Sequence, residues 1–342
     1  MVAVMLHYHK KQGQASNFYH RQKGPPAGQF QRRRPGRAAR VHPLVPGELW
    51  HLYKTSYRPK ELRGGSIKTD VQYRIQLNHF ARYLGREAVL TDLNENVVCA
   101  FLDELAKTRA PRTVNKAYWC LIALWTHAAK RRLVDGFPMI QPMDEPTRIP
   151  EAWQLPELGR LFDACRQQAG TIDGVRLADW WYGVHVVCLY TGERIAAVQS
   201  IRMANVNWER AEICIPAEAR KAKTRDMVYK LPLHAFDALA AIREPGRELL
   251  FPPMNLGTFY HRYKRLLRDA GLPADRRCKP QKLRRTFASY LEAAGGNATA
   301  ALEHASRSVT VRNYLDPRIC GGQNPADLLP PIPTAKREGD AA

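Results

Sequence analysis

Apolar residues recur at helical spacing through the first half of the chain and give way to short strand-like alternation only past its midpoint. Between about 66 and 135, Tyr73, Leu77, Phe80 and Leu84 share one helical face, then Val98, Phe101, Leu102 and Leu105, then Ala117, Leu121, Leu124 and Ala128. Residues three and four apart lie on one side of an α-helix. The pattern therefore predicts three amphipathic helices packed as a small bundle, the third starting near Arg112 and Thr113. The stretch FPMIQPMDEPTRIPEAW is crowded with Pro and charge and predicts a linker, with a boundary near 145–152. Helical patterns follow near 155–168 and 177–190, then β segments near 203–208, 211–215 and 227–232. Further helices are expected near 234–242, 256–270, 281–294 and 298–303, and a last one over Tyr314. After Pro317 the chain turns Gly- and Pro-rich and is expected to be irregular. Helices, a small sheet and more helices define an α+β chain, mainly α.

Composition changes this picture in three ways. The 342 residues suffice for two separately cored domains. A net charge of +21 implies an acidic partner, most simply nucleic acid, although a ribosomal or membrane-surface role would carry the same sign. Residues 1–45 hold nine Lys or Arg, and the first acid is Glu48, so a disordered basic tail is expected. Such a tail is either plainly solvated or an arm that grips phosphates and makes binding salt-dependent. No run of 18 apolar residues occurs, and MVAVMLHYHKKQGQ has too short an apolar stretch for a secretory signal, so a cytoplasmic, nucleoid-associated location is expected. The seven cysteines form no C-x-x-C pair, which points to reduced thiols and away from a metal site.

Six residues in the second half carry candidate chemistry. Arg194 lies in LYTGERIAAV and Lys223 in KAKTRDMVYKLPL; Gln281, Arg284, His304 and Tyr314 fall between QKLRRTF and VRNYLDP. Guanidinium forks bind non-bridging phosphate oxygens and neutralise charge that grows there, and a tyrosine can form a covalent intermediate. Each residue alone has a plainer reading. Arg194 could be a salt-bridged helix-end arginine, Lys223 a solvated turn residue with Lys221 as its rival, His304 a helix cap, and Tyr314 a packing ring. Arg284 and Arg285 point about 100° apart on a helix, so only one can face a given phosphate.

The ordered set resembles the tyrosine recombinases, the phage-integrase family of site-specific DNA recombinases, over roughly residues 60–318. The family's Thr-Gly-x-Arg is matched at Thr191, Gly192 and Arg194, and its His-x-Leu-Arg-(His/Arg)-Thr by Gln281, Leu283, Arg284, Arg285 and Thr286. The late Gly-His-Ser element is represented by Glu303, His304 and Ala305, with Tyr314 ten residues after the histidine. Two positions depart. Gln281 stands where the family carries histidine, and Ala197 where an acidic residue is usual.

Between the basic tail (1–45) and a C-terminal tail (319–342), the resemblance implies a helical core-binding domain (46–145) and a helix-rich catalytic domain (150–318). It further implies double-stranded DNA as partner, a homotetramer on two DNA sites, and strand exchange through a 3′-phosphotyrosyl link without cofactor or metal. Tyr314 would be the nucleophile, Arg194, Arg284 and His304 the transition-state ligands, Lys223 the general acid, and Gln281 a hydrogen-bonding stand-in for histidine. Gln281 and Ala197 also keep open a catalytically impaired DNA-binding relative. A type IB topoisomerase-like nicking-closing enzyme would use the same chemistry.

Overall fold

The computed structural model describes residues 47–62, 66–221 and 225–321. The expected N-terminal tail, Lys223 and nearly all of the expected C-terminal tail lie outside the described residues. The described residues fall into two compact units, divided between Glu145 and Pro146.

The first unit is helical. α1 (Gly47–Leu52) runs through a π-helical turn, Tyr53–Tyr57, into α2 (Arg58–Glu61), followed by α3 (Ile67–Leu84), α4 (Glu95–Ala106) and α5 (Pro111–Lys130). The periodic positions do pack together: Tyr73, Leu77 and Phe80 meet Val98, Phe101 and Leu102, and Ala117, Leu121, Leu124 and Ala128 close the core. Leu84 and Leu105 sit at its edge, half-buried. Local chemistry fixes the helix ends. Gly85 takes the left-handed conformation after α3, the Asn94 side chain accepts from the backbone of Val97 at the start of α4, and Pro111 opens α5. The helical run from Gly47 to Glu61 goes beyond the three expected helices; its Leu49 and Tyr53 are fully buried in the same core.

The second unit begins with α6 (Leu155–Arg166), a short β1–β2 hairpin (Thr171–Ile172, Val175–Arg176) and α7 (Leu177–Thr191). The hairpin was not expected. α7 is apolar nearly all round, as suits a central helix; Trp180, Trp181, Val184, Val187 and Cys188 are all buried. α8 (Ile195–Gln199) leads to an antiparallel sheet in the order β3 (Val206–Asn207), β4 (Glu212–Ile215), β5 (Met227–Lys230). Ile213 pairs with both Val206 and Tyr229, which puts Ile213 and Ile215 in the core and aims Tyr229 inward. α9 (Leu233–Ala240), α10 (Leu256–Asp269), α11 (Gln281–Ala293), α12 (Ala298–Ala301) and α13 (Arg307–Tyr314) follow. The chain is not irregular straight after Pro317. Pro317–Cys320 form α14, with Pro at its first turn and the Asp316 side chain capping it through the backbone of Arg318.

Candidate active site

The turn after α7 organises the site. Gly192 has φ +65°, and a Cβ there would stand 2.3 Å from Cδ1 of Phe287 and 2.9 Å from Cδ2 of Leu302, so no side chain fits. The same residue's carbonyl accepts from Nη1 of Arg284 at 2.7 Å. Thr191 bonds back to Val187 and accepts from the backbone of Glu193, which sets the turn. Arg194 then begins α8 and is half-buried.

Arg284 lies on α11, buried to 2% exposure. Its Nη2 donates to the carbonyl of Leu302 at 3.3 Å and meets Nε2 of His304 at 3.3 Å. Its Nε is buried without a partner among the described residues. Burial, and then the like charge of Arg194, lower the Arg284 pKa from its ordinary value, while Tyr314 and Glu193 oppose that shift. A guanidinium only donates, so at this contact Nε2 of His304 presents its lone pair. The other ring nitrogen, Nδ1, then donates to the Thr310 hydroxyl at 2.9 Å, and Thr310 also accepts from Thr299. Tyr314 ends α13 with its ring centre 4.5 Å from that of His304 and 5.5 Å from the guanidinium carbon of Arg284.

Arg284, His304 and Tyr314 are thus brought together from three stretches of chain, and the charge of Arg194, two residues after the Gly192 carbonyl that Arg284 holds, acts on Arg284. Gln281 sits half-buried on the first turn of α11, one turn before Arg284, and its amide makes no hydrogen bond to a described residue. Arg285, the next residue on the same helix, is half-buried where Arg284 is fully buried. Neighbouring Lys282 is committed elsewhere, its Nζ lying 3.5 Å from the ring centre of Trp153.

Two anchors escaped the sequence reading. Glu193, 3% exposed, accepts from Arg220 Nε at 2.5 Å and from the Tyr229 hydroxyl at 2.8 Å. It fell on the variable position of Thr-Gly-x-Arg, so the motif gave no signal for it. Asp316, fully buried, accepts from the backbone of Ala152 at 2.8 Å and pairs with Arg318. Its own N–H donates to Ser289 Oγ, which donates to the Tyr314 carbonyl. Burial opposes the Asp316 charge, but Arg318 and the backbone of Ala152 together hold the carboxyl below its ordinary value.

A helix-dominated domain with a three-stranded antiparallel sheet, joining these arginines, histidine and tyrosine, has the architecture of a tyrosine-recombinase catalytic domain. Residues 157–318 match the phage integrase family, so this domain is similar to those of the tyrosine recombinases. The fold is similar to that of the Tn1549 transposon integrase in complex with a circular intermediate DNA (15% identity over 78% of this chain and 94% of that one, TM-score 0.61). It is also similar to the XerH site-specific recombinase bound to palindromic difH substrate (16% identity, 75% and 79%, TM-score 0.57). A third similar structure is a lambda integrase dimer bound to a COC′ core site (14% identity, 77% and 93%, TM-score 0.57). A search of curated proteins finds no sequence match. Among the described residues no helix is long and apolar enough to cross a membrane, and no cluster of three or more His, Cys, Asp or Glu could hold a metal ion.

Proposed function

We propose that this chain cuts and rejoins double-stranded DNA at specific sites, with the Tyr314 phenol as nucleophile. The observation that carries this reading is the convergence of Arg284, His304 and Tyr314, with Arg194 close enough for its charge to act on Arg284. The phenol oxygen attacks phosphorus and the bond to the 5′ oxygen breaks, leaving a 3′-phosphotyrosyl link and a 5′ hydroxyl. Arg194 and Arg284 neutralise the charge that builds on the non-bridging oxygens, and the buried Nε of Arg284 is a donor suited to one of them. The phenol proton passes to Nε2 of His304, the ring nitrogen that turns its lone pair toward Arg284. The imidazolium so formed then donates to a non-bridging oxygen. Gln281 can hold an oxygen by its amide but cannot carry the proton. By resemblance, Lys223 gives a proton to the departing 5′ oxygen.

One phosphoester is exchanged for another, so a 5′ hydroxyl from a second duplex can reverse the step and complete strand exchange. Exchange between two duplexes requires two sites held together, which fits a homotetramer. The net charge of +21 supports a phosphate-rich partner, and similarly folded recombinases were solved on DNA. The buried carboxylate of Glu193, 3.9 Å from Nη1 of Arg284, favours an active enzyme over an impaired relative, because an acid still faces this arginine although Ala197 supplies none.

The test is covalent capture. The full chain is incubated with a random-sequence pool of nicked duplexes, and DNA that stays attached through denaturation is recovered and sequenced. Wild type should enrich one site, whereas Tyr314→Phe should bind that site and form no adduct. An adduct with the Phe variant would mean that another residue attacks. Plasmids carrying one or two copies of the site then separate relaxation alone from recombination.

A further inference from the structure

Two of the residues gathered at the site each follow directly on an acid: Glu193 precedes Arg194, and Glu303 precedes His304. Both carboxylates reach one guanidinium. Arg220, with 1% of its side chain exposed, donates from Nε to Glu193 at 2.5 Å and places Nη2 2.8 Å from Glu303. Its third nitrogen donates to the backbone of Arg225 at 3.2 Å. Glu193 also accepts from Tyr229 and lies 3.9 Å from Nη1 of Arg284. Glu303 is paired with Arg225 as well, and its backbone takes the left-handed conformation at φ +49°. Burial opposes the charge on Glu303, yet Arg225 and Arg220 hold its carboxyl below the ordinary value.

A buried guanidinium is tolerable only where its charge and its donors are matched. Here the match comes from two turns that are 110 residues apart in sequence but both border the candidate phosphate site. Ala197, where the family carries an acid, is 2% exposed within the hydrophobic core and contributes none. A planar fork can serve both carboxylates at once, whereas a lysine ammonium is a single point of charge.

We propose that Arg220 is a positioning residue for DNA cleavage: held between Glu193 and Glu303, it fixes the two turns that carry Arg194 and His304. Arg220 acts through the two carboxylates and contacts neither the DNA nor Tyr314. The inference rests on the cleavage chemistry proposed above.

The experiment compares full-length wild type, Arg220→Lys, Arg220→Met and Tyr229→Phe in single-turnover adduct formation on the captured site. The scissile position carries either an ordinary phosphodiester or a methylphosphonate, which lacks one anionic oxygen. DNA binding and thermal melting are measured in parallel. Arg220→Lys should bind DNA as wild type does but cleave the phosphodiester about 10²-fold more slowly, the cost of a misplaced reacting group. On the methylphosphonate the arginines have less charge to neutralise, so the deficit should shrink to under about tenfold. A merely structural defect would slow both substrates equally. Equal deficits, or unimpaired cleavage of the phosphodiester by Arg220→Lys, would overturn the proposal. If both Arg220 variants melt too low to assay, Tyr229→Phe removes one hydrogen bond to Glu193 and no charge. It should show the same preferential loss on the phosphodiester, and an equal loss on both substrates or none would again overturn the proposal. A wild type that forms no adduct on any DNA defeats the cleavage reading itself, and this inference with it.

Discussion

Asp316→Asn keeps the size and shape of a fully buried side chain and removes only its charge and half of its acceptor capacity. Each carboxylate oxygen now serves two donors. Oδ2 takes the Ala152 N–H at 2.8 Å and Arg318 Nη2 at 2.6 Å, and Oδ1 takes the N–H of Arg318 at 3.0 Å and its Nε at 2.9 Å. An amide must turn its NH2 group toward one of these pairs, leaving a backbone N–H without an acceptor. A buried donor stranded in that way costs about 1–3 kcal/mol, and losing the charge on the remaining bonds adds roughly 1 kcal/mol. The Arg318 side chain is 58% exposed, so its ion pair is screened and adds less than about 1 kcal/mol. The sum is about 2–5 kcal/mol, which for a domain of this size lowers the melting temperature by about 4–20 °C.

The pH dependence supplies an internal check. The folded carboxyl lies below its ordinary value, so its stabilisation is complete above the unfolded pKa of about 3.9 and is lost as pH falls through the folded value. Melts followed by circular dichroism should therefore show a constant gap between wild type and Asp316→Asn near neutrality, closing in acid. Cleavage should fall further than DNA binding, because Ser289 bridges Asp316 to the carbonyl of the proposed nucleophile. A variant that melts with wild type at neutral pH would refute the reasoning, and so would a gap that persists in acid.

Gly192→Ala forces a Cβ to 2.3 Å from Phe287 at a left-handed backbone position, so a loss of about 2–5 kcal/mol and a collapse of cleavage are expected in melts and adduct assays. A fully stable Ala variant would show that the turn relaxes. Gln281→His adds a second base one helical turn before Arg284, and should raise the single-turnover cleavage rate at neutral pH by about tenfold, below the ~10²–10⁴ of a whole acid–base group. DNA affinity should stay unchanged; a flat or reduced rate would mean that the site is built around the amide.

What the sequence made legible follows from how local each signal was. The periodicity of Tyr73, Leu77 and Phe80 marks α3 because the helix buries one face against neighbours with the same pattern. Arg284, His304 and Tyr314 could be selected because spacing set them apart, and they do converge. Glu193 and Arg220 are different in kind. Their partnership is a long-range pairing between a turn and a strand connection, and neither residue looks other than solvated in its own neighbourhood. Ala197 suggested a missing acid because a motif counts positions, whereas the structure sets a different carboxylate, Glu193, 3.9 Å from Nη1 of Arg284. The β1–β2 hairpin and α14 did carry local marks, Asp173-Gly174 at a tight turn and Asp316-Pro317 at a helix start, but both elements are too short for periodicity to register.

The ties around Tyr314 bear on which protomer would do the cutting. Its ring packs on its own chain's His304, its carbonyl is held by its own Ser289, and two residues later Asp316 is bonded to Ala152 at the entrance of the same domain. Lending this tyrosine to a neighbouring subunit would mean unfastening every one of those bonds. On the proposed reading each subunit therefore cleaves in cis, at the half-site it occupies. Communication between subunits would then have to set when a tyrosine is used, since whose tyrosine is used is already decided.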